Sequence, residues 1–479
     1  MEIIKNIDSA IEYIQNLPCE YELSNLPFND RKGSLRIKDR HLELSFSLSL
    51  HESVNAINIV DIGEFSLRNE HTKAKYLVEN KSAYLNGSIN LAADDNAQCP
   101  YSINISNMME MGWERNEKYF YRFLFPIEKE YWIRDIYTLV YRYKTTLSRG
   151  LIPINFEEGT IHLFPVRIEE SNFLAIESNF TCTYDEMQKY IYAISLSLGL
   201  VTSIVTFDYA YIFTSETPDF KKNLYCGFSE MRDSIKGQYS FFTTNIYALE
   251  KVLRYNKVEY ALKQILDEEG QVLSNMQDWM QLDEFEQIVR MLYNNNDLAR
   301  SVLILIESST FSLDYEGAMC AVALETICAA LDKSQNRSFL PKTEWQKSVS
   351  PRFMDLINQL YSEGVISEEH ADVIRKKLHV LNFGTNGDKL SSPFRDRGYN
   401  LSKKEMEIIK ERNRFLHGHI LGRTYDESFK EILYTCMELQ KLCTILLFRE
   451  AGFKGYIINN AVLMGLEQAV NNKEPVLIK

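Results

Sequence analysis

The sequence predicts an α+β protein with several domains, in which a β-rich N-terminal domain is followed by an all-helical C-terminal domain. Two observations predict this class. Apolar and polar residues alternate through much of the first 180 positions, whereas from about residue 283 the apolar residues recur at three- and four-residue spacing. We therefore assign residues 1–215 to the β-rich domain, 216–282 to a connecting segment and 283–479 to the helical domain.

The strands of the first domain are predicted from this alternation. In residues 40–51, leucine and phenylalanine at even positions alternate with glutamate and serine at odd positions, as in a half-buried strand. Asn86-Gly87, between two further apolar runs, predicts a tight hairpin turn. The series favours an antiparallel sandwich or barrel over roughly residues 30–180. Thr183 and Glu186 then have the spacing of a capping box, which predicts a helix that packs on the sheet.

An aromatic cluster extends from Trp113 to Tyr143 in the same domain. One interpretation is an exposed surface for a protein or glycan partner, because tyrosine and tryptophan are favoured anchors in interfaces. The alternative is packing in the core and between domains, where aromatic rings bury large areas. We favour the packing interpretation.

Composition excludes several classes of protein. Hydrophobic residues make up 45% and charged residues 25% of the chain, as in a globular protein. No run approaches the roughly 20 apolar residues of a membrane span, and the amphipathic start does not resemble a signal peptide. The eight cysteines form no C-x-x-C pair and no zinc-ligand spacing. We therefore expect reduced thiols, no metal or cofactor, no membrane partner and a cytoplasmic location.

Charge is unevenly distributed along the chain. The formal net charge of −13 disfavours wide contact with phosphates, which bind Lys and Arg. Residues 333–430, however, contain 18 Lys and Arg against 13 Asp and Glu, which leaves 35 against 53 in the rest of the chain. The sequence thus predicts a local basic patch within an acidic protein.

One stretch of the helical domain, residues 400–420, places a charged residue on an apolar stripe. Ser402 and Glu405 have the spacing of a capping box and predict where this helix begins. Arg412 follows Ile409 by three residues and lies on the line of the apolar stripe. An arginine in that position requires a partner, because burying an unpaired charge is costly.

A polar cluster forms around this arginine. Asn413 and His417 are four residues apart beside Arg412, and Gly418 offers a place for the helix to end. The pattern Arg412-Asn413-x3-His417-Gly418 resembles the Arg-x(4–6)-His signature of the HEPN superfamily of nucleases. It resembles in particular the Apea-like branch, in which the signature helix carries Arg-Asn and ends in His-Gly.

The resemblance implies a metal-independent endoribonuclease that leaves a 2′,3′-cyclic phosphate. His417 would act as acid and base, since histidine titrates near neutral pH. Arg412 would clamp the phosphate, whose developing negative charge needs a fixed cation, and Asn413 would orient either group. Arg414 and His419 form an overlapping pair with the same spacing, so spacing alone does not decide between the two pairs. The polar residue after Arg412 favours the first pair, with Arg414 and His419 in supporting positions.

Further residues are expected to support the site. Glu325 interrupts a nearly apolar helix, and the resemblance makes it a candidate partner for Arg412, the alternative being an exposed or capping glutamate. Residues 384–400 are rich in Gly, Ser and Pro and predict a loop. Its basic residues would form a lid over RNA, or the loop would be a plain solvated linker. These basic residues are Lys389, Arg395 and Arg397.

The resemblance also implies a biological role. Apea-like members are mostly bacterial toxins and abortive-infection effectors that degrade RNA, tRNA included, in antiviral defence. The implied partners are RNA, a second copy of the chain in a homodimer or larger homo-oligomer, and a phage-derived protein trigger. The N-terminal domain would hold the nuclease inactive or sense that trigger.

Two alternatives to the nuclease remain. One is a non-catalytic HEPN-like dimer that serves as a scaffold or binding module. The other is a separate enzymatic function in the N-terminal domain, whose sequence contains no Gly-rich phosphate loop, metal-ligand cluster or nucleophile elbow.

Overall fold

The computed structural model describes most of the chain and separates it into two compact units. The described residues are 2–4, 6–25, 31–38, 41–49, 62–87, 98–127, 133, 135–143, 146–168, 170–205, 207–236, 246–273, 279–332, 340–378, 381–382, 386–416 and 425–479. The first unit comprises Met1–Thr244 and Gln277–Asn294, and the second comprises Asn245–Met276 and Asn295–Lys479. The predicted connecting segment, 216–282, is divided between them.

Strands dominate the first unit and helices the second. The strands are β1 Glu2–Ile4, β2 Glu20–Ser24, β3 Arg31–Lys38, β4 His41–Ser49, β5 Phe65–Asn69, β6 Lys75–Val78, β7 Ala83–Gly87, β8 Gln98–Ile105, β9 Asn107–Glu110, β10 Phe120–Ile127, β11 Leu139–Tyr143, β12 Thr146–Asn155, β13 Thr160–Ile168, β14 Ser171–Ser178, β15 Ile204–Val205, β16 Tyr209–Ser215, β17 Cys226–Glu230, β18 Ile235–Lys236, β19 Ile457–Ile458 and β20 Leu477–Ile478. The helices are α1 Asp8–Asn16, α2 Tyr184–Thr202, α3 Ile246–Tyr255, α4 Glu259–Ile265, α5 Leu282–Asn294, α6 Asn296–Ser308, α7 Leu313–Leu331, α8 Lys342–Glu344, α9 Ser350–Ser362, α10 Glu368–Leu378, α11 Asn386–Asp396, α12 Lys403–Leu416, α13 Tyr425–Glu450, α14 Asn460–Leu463 and α15 Glu467–Asn471, with a π-helical turn, Trp345–Val349, between α8 and α9. In the described part of the chain, no helix has the length and apolar character needed to cross a membrane.

Sixteen of the described strands form one hydrogen-bonded series in the first unit. Their order is β1-β11-β12-β13-β14-β10-β16-β17-β9-β6-β5-β2-β3-β4-β8-β7. The described pairings in this series are antiparallel except that of β1 with β11. An antiparallel sheet region therefore precedes a helical region along the chain, and the predicted α+β class is confirmed.

The predicted hairpin turn at Asn86-Gly87 is wrong. Both residues lie inside β7, where Asn86 pairs with Ser102 and Gly87 with Tyr101 of β8. The same two residues of β8 pair on their other side with β4. The ladder with a central strand thus outweighs the local turn preference of Asn-Gly, because strand formation depends on cross-strand pairing more than on local propensity.

The buried rings of the aromatic cluster pack inside the first unit. Tyr121, Phe123 and Phe125 of β10 are fully buried, and the ring of Tyr184 on α2 stacks on Phe123 with centroids 6.2 Å apart. The predicted helix α2 therefore packs on the sheet. It begins with the predicted capping box, in which Thr183 is the N-cap.

The second unit is organised around α7 and α13, which pack against each other, with α6 and α12 also packed on α7. The predicted loop at 384–400 is wrong over most of its length, because residues 386–396 form α11 with Pro393 inside the helix. Leu390 and Phe394 lie four residues apart and are 7% and 0% exposed. Burial of this pair stabilises a helix in a stretch whose composition favours a loop.

Candidate functional site

The helix that carries the motif, α12, begins where the sequence predicts. The N–H of Ser402 donates to Oε2 of Glu405 at 2.8 Å, and the N–H of Glu405 donates to Oγ of Ser402 at 3.2 Å, which completes the capping box. Glu405 is buried and also accepts a hydrogen bond from the Tyr399 hydroxyl at 2.6 Å. Burial tends to raise the pKa of Glu405, but the Lys441 ammonium and the bonds from Tyr399 and Ser402 together lower it.

A buried charge cluster fixes this end of α12 to α13. Nζ of Lys441 lies 3.2 Å from Glu405, 2.6 Å from Glu438 and 3.9 Å from Glu474. Burial raises the pKa of Glu438 to about 7, against the opposing charge of Lys441. The Tyr434 hydroxyl donates to Glu474 at 2.5 Å. Three carboxyl groups around one ammonium thus anchor the start of the motif helix.

Arg412 is buried and paired, as the sequence predicts. The residue is 9% exposed, and Nε donates to Oε1 of Glu325 on α7 at 2.9 Å. Nη1 donates to the carbonyl oxygen of Ile409 at 2.5 Å, one turn earlier in the same helix. Glu325 keeps 41% of its side chain exposed. The guanidinium is therefore held in one orientation next to the surface.

Close packing holds the last turn of α12 against α7. A Cβ atom on Gly317 would lie 2.4 Å from the Phe415 ring, so only glycine fits at this position without a shift. Phe415 also packs against Ile432 and Cys436 of α13, as does Leu313 of α7. The glycine permits the close approach that brings Arg412 within hydrogen-bond distance of α7.

The remaining motif residues form two groups, those exposed on α12 and those outside the described residues. Asn413 and Arg414 are exposed on α12. His417, Gly418 and His419 lie outside the described residues. The described part of the predicted site is therefore one buried, paired cation with an exposed amide and an exposed cation beside it.

No protein-family model, curated protein or solved structure matches this chain.

An open groove lies beside Glu325. Its volume is about 570 Å³, and it is lined by Asn295, Asp297, Glu325 and neighbouring residues of α7. Asn295 caps α6 by accepting the N–H groups of Asp297 and Leu298. The two carboxylates in the groove disfavour a bound phosphate there.

The three predicted basic lid residues have different environments. Lys389 and Arg395 are exposed on α11. Arg397 has a buried side chain that is 6% exposed, pairs with Glu450 at 2.6 Å and donates to the carbonyl oxygens of Pro393 and Leu331. Arg397 therefore ties α11 to α7 and α13, and a role in a mobile basic loop is wrong for it.

The sequence interpretation missed the charge cluster around Lys441. Glu438 and Lys441 are three residues apart on the apolar side of α13, and each is followed directly by a fully buried leucine, Leu439 and Leu442 respectively. The signal was the same as for Arg412, namely charged residues on an apolar stripe that need partners.

Proposed function

We propose that this chain is a metal-independent endoribonuclease of the HEPN type, similar to the Apea-like branch, in which Arg412 clamps the phosphate and His417 acts as acid and base. The observation that carries the proposal is the pairing of Arg412 with Glu325. Arg412 lies on an apolar stripe, in the last turn of a capped helix and five residues before a histidine. It is fixed by Glu325, an acidic residue of an earlier helix. The family resemblance implies this arrangement.

The guanidinium of Arg412 retains hydrogen-bond capacity for a substrate. Arginine has five N–H donors, and acceptors among the described residues take one at Nε and one at Nη1. The remaining donors form a planar fork that suits phosphate oxygens. Because Glu325 already orients the cation, little reorganisation is needed as negative charge develops on the phosphorus.

The rest of the reaction is assigned to neighbouring residues. His417 takes the proton of the ribose 2′-hydroxyl and returns a proton to the leaving oxygen, so the product is a cyclic phosphate. Asn413 orients the histidine or the phosphate, and exposed Arg414 contacts the RNA backbone. We further propose tRNA or other cellular RNA as substrate, a homodimer as the active form and abortive infection, triggered by a phage-derived protein, as the biological role.

A second candidate function is a non-catalytic HEPN-like scaffold. One observation favours it: the Arg412 side chain is only 10% exposed and already bonded to two groups, as expected of a structural ion pair. In this case His417→Ala changes no activity of the protein.

The two candidates are separated by RNA cleavage in the presence of excess chelator. Wild type is compared with Arg412→Ala and His417→Ala on total tRNA and on a labelled oligoribonucleotide, with detection of the cyclic phosphate. The nuclease proposal expects cleavage by the wild type and a loss of about 100- to 10,000-fold in His417→Ala, the usual contribution of an acid–base residue. Arg412→Ala is expected to lose about 100- to 1,000-fold.

Control variants decide which residues act. Lys410→Ala removes an exposed cation from the same helix and is expected to cleave like the wild type. Arg414→Ala and His419→Ala test the overlapping pair, and a larger loss in these two than in Arg412→Ala and His417→Ala would transfer the catalytic role to them. Equal cleavage by all variants contradicts the proposal. Absence of cleavage, together with equal growth of phage-infected cells that express wild type or His417→Ala, favours the scaffold.

A further inference from the structure

A cavity in the first unit lies between α1 and one end of the sheet. Its volume is about 290 Å³. Strands β5, β6, β9 and β17, whose ends help to line it, are consecutive neighbours in the sheet. The volume is close to the lower limit of about 300 Å³ for small-molecule sites and roughly twenty times the space that one water needs. The cavity is therefore large enough for a small metabolite.

The wall of the cavity is held rigid by hydrogen bonds. Nδ2 of Asn69 donates to the carbonyl oxygen of Asn16 and to the Tyr21 hydroxyl, both at 3.1 Å. Its Oδ1 accepts the N–H groups of His71 and Thr72 at 2.9 Å. This network connects the end of α1 to β2 and β5, so the cavity is formed before any ligand binds.

Unpartnered polar atoms are concentrated in this cavity. In the described part of the chain, seven buried side-chain oxygen or nitrogen atoms have no hydrogen-bond partner. Three of them belong to residues that line this cavity, namely Oγ of Ser9, the hydroxyl of Tyr13 and Oδ1 of Asn223. Each unpartnered buried group costs free energy, so three at one place indicate that a partner normally fills the space.

The interior of the cavity offers acceptors for a ligand with hydrogen-bond donors. Oε2 of Glu110 accepts the N–H of Cys226 at 3.2 Å, and no cation pairs with this carboxyl group among the described residues. Burial raises the pKa of Glu110, against the opposing bond from Cys226. Oδ1 of Asn223 adds a second acceptor that needs an N–H or O–H group.

Two tyrosines and two lysines also line the cavity. The rings of Tyr13 and Tyr76 have centroids 6.3 Å apart, and both residues contribute to the wall of the cavity. Lys221 pairs with Asp219 at 3.4 Å, whereas Lys222 is exposed and has no carboxylate partner among the described residues. Because the exposed Glu12 and the carboxyl group of Glu110 also line the cavity, an anionic group on the ligand is expected at the ammonium of Lys222.

We propose that this cavity binds a small ring compound that carries hydrogen-bond donors and a phosphate group. The ring packs against Tyr13 and Tyr76, its polar groups bond the Tyr13 hydroxyl, Asn223 and Glu110, and the phosphate pairs with Lys222. A nucleoside monophosphate and a sugar phosphate share this chemistry. The site lies in the first unit and does not depend on the proposed nuclease.

Isothermal titration calorimetry on the full chain tests the proposal. The probes are the common ribonucleoside 5′-monophosphates and glucose 6-phosphate, with the unphosphorylated nucleosides, glucose and inorganic phosphate as controls. We expect saturable binding of at least one phosphorylated probe below about 1 mM, about tenfold tighter than its unphosphorylated form and than inorganic phosphate. Binding of a nucleotide but not of the sugar phosphate identifies the ring as a base, and the reverse identifies it as a sugar.

Variants connect the binding to the named atoms. Tyr13→Phe removes an unpartnered hydroxyl, so its melting temperature without ligand is expected to equal or exceed that of the wild type while its Kd rises about tenfold. A purely structural tyrosine would give a lower melting temperature instead. Lys222→Ala is expected to bind phosphorylated and unphosphorylated forms equally. The control Tyr84→Phe changes a ring that is 55% exposed on β7 and leaves binding unchanged.

Three results would overturn the proposal. The first is no saturable binding of any phosphorylated probe up to about 1 mM, which would leave a water-filled cavity. The second is unchanged Kd in both Tyr13→Phe and Lys222→Ala, which would place the binding elsewhere. The third is an affinity for inorganic phosphate equal to that for the phosphorylated probe, which would mean that the cavity contributes nothing to the binding of the ring.

Discussion

Each compact unit contains a buried arginine that pairs with one glutamate, and the two pairs differ in how completely they are enclosed. In the first unit the Arg122 side chain is 0% exposed and that of Glu177 is 12% exposed. Nε and Nη2 of Arg122 lie 2.8 and 2.7 Å from Glu177, and Nη1 donates to the carbonyl oxygen of Asn6. The guanidinium also lies 4.1 Å from the centroid of the Phe220 ring. Every face of this arginine is occupied by protein.

In the second unit the enclosure is incomplete. Arg412 is 10% exposed, and its partner Glu325 is 41% exposed and lines an open groove. Burial and pairing alone therefore do not distinguish a structural arginine from a functional one. A functional arginine must keep N–H donors for a ligand, and its acidic partner must be in contact with solvent. Arg412 meets both conditions and is therefore the candidate for function.

The largest expected effect is on stability and separates the two arginines directly. Arg122→Met removes the buried guanidinium that pairs with Glu177 and should lower the free energy of unfolding by about 3–5 kcal/mol. Arg412→Met should cost only roughly 1–2 kcal/mol, because water can solvate the exposed Glu325. Urea unfolding followed by circular dichroism measures both. The double variant Arg122→Met/Glu177→Met should recover most of the loss, and equal losses for the two single variants would contradict the comparison.

Local signals in the sequence predicted one of these pairs and not the other. The sequence predicts a partner for Arg412 because this residue interrupts the apolar stripe of a helix. The period of 3.6 residues makes a charge on that stripe evident. Arg122 lies among aromatic residues of β10 whose two faces are both buried, so no alternation marks it as unusual. Both capping boxes were predicted, since they depend on residues three positions apart.

The errors of the sequence interpretation have a common physical cause. Asn86-Gly87 and the Pro393 segment carry strong local preferences for turn and loop, and both are overridden by contacts with distant residues, β8 in one case and the buried side of α11 in the other. The cavity beneath α1 was equally invisible. Its lining comes from positions as far apart as Tyr13, Glu110 and Asn223, which only the sheet order brings together.

A second prediction concerns a buried carboxyl group that, unlike Glu177, has no cationic partner among the described residues. Glu316 is 6% exposed and accepts a bond from Gln440 at 2.5 Å, and burial raises its pKa from 4.5 to about 7 although Gln440 opposes this. Between these pH values the folded state keeps the proton that the unfolded state has lost. Stability should therefore fall as pH rises from about 4.5 to about 7.

Glu316→Gln tests this sign. The amide keeps the bond from Gln440 and offers an N–H to Oε1 of Gln440, which has no partner among the described residues. At pH 8 the variant should be roughly 2–3 kcal/mol more stable than the wild type, and the difference should nearly vanish at pH 4. Urea unfolding across this pH range measures it. A wild type that gains stability relative to the variant as pH rises would show that Glu316 is stabilised as a carboxylate.

The third prediction tests whether the position of Arg412 depends on close helix packing. Gly317→Ala places a methyl group 2.4 Å from the Phe415 ring, so the ring or the last turn of α12 must shift away from α7. We expect a loss of about 1–3 kcal/mol in the free energy of unfolding and, if Arg412 is functional, a fall in RNA cleavage. Phe415→Leu in the same chain makes room for the methyl group and should restore part of both losses. If stability falls and RNA cleavage is unchanged, a purely structural role for Arg412 is favoured.

The smallest expected effect compares the two capping boxes, one in each unit. Ser402→Ala and Thr183→Ala each remove a side-chain acceptor from a helix N-terminus, and each should cost about 1 kcal/mol in thermal or urea unfolding. The two variants should differ in function, because only Ser402 lies at the start of the helix that carries Arg412, and its partner Glu405 also contacts Lys441. If the chain is the proposed nuclease, RNA cleavage should therefore fall in Ser402→Ala and be unchanged in Thr183→Ala. Equal cleavage by both variants would mean that α12 is held by its packing on α7 and by the Lys441 cluster, so that its cap contributes stability alone.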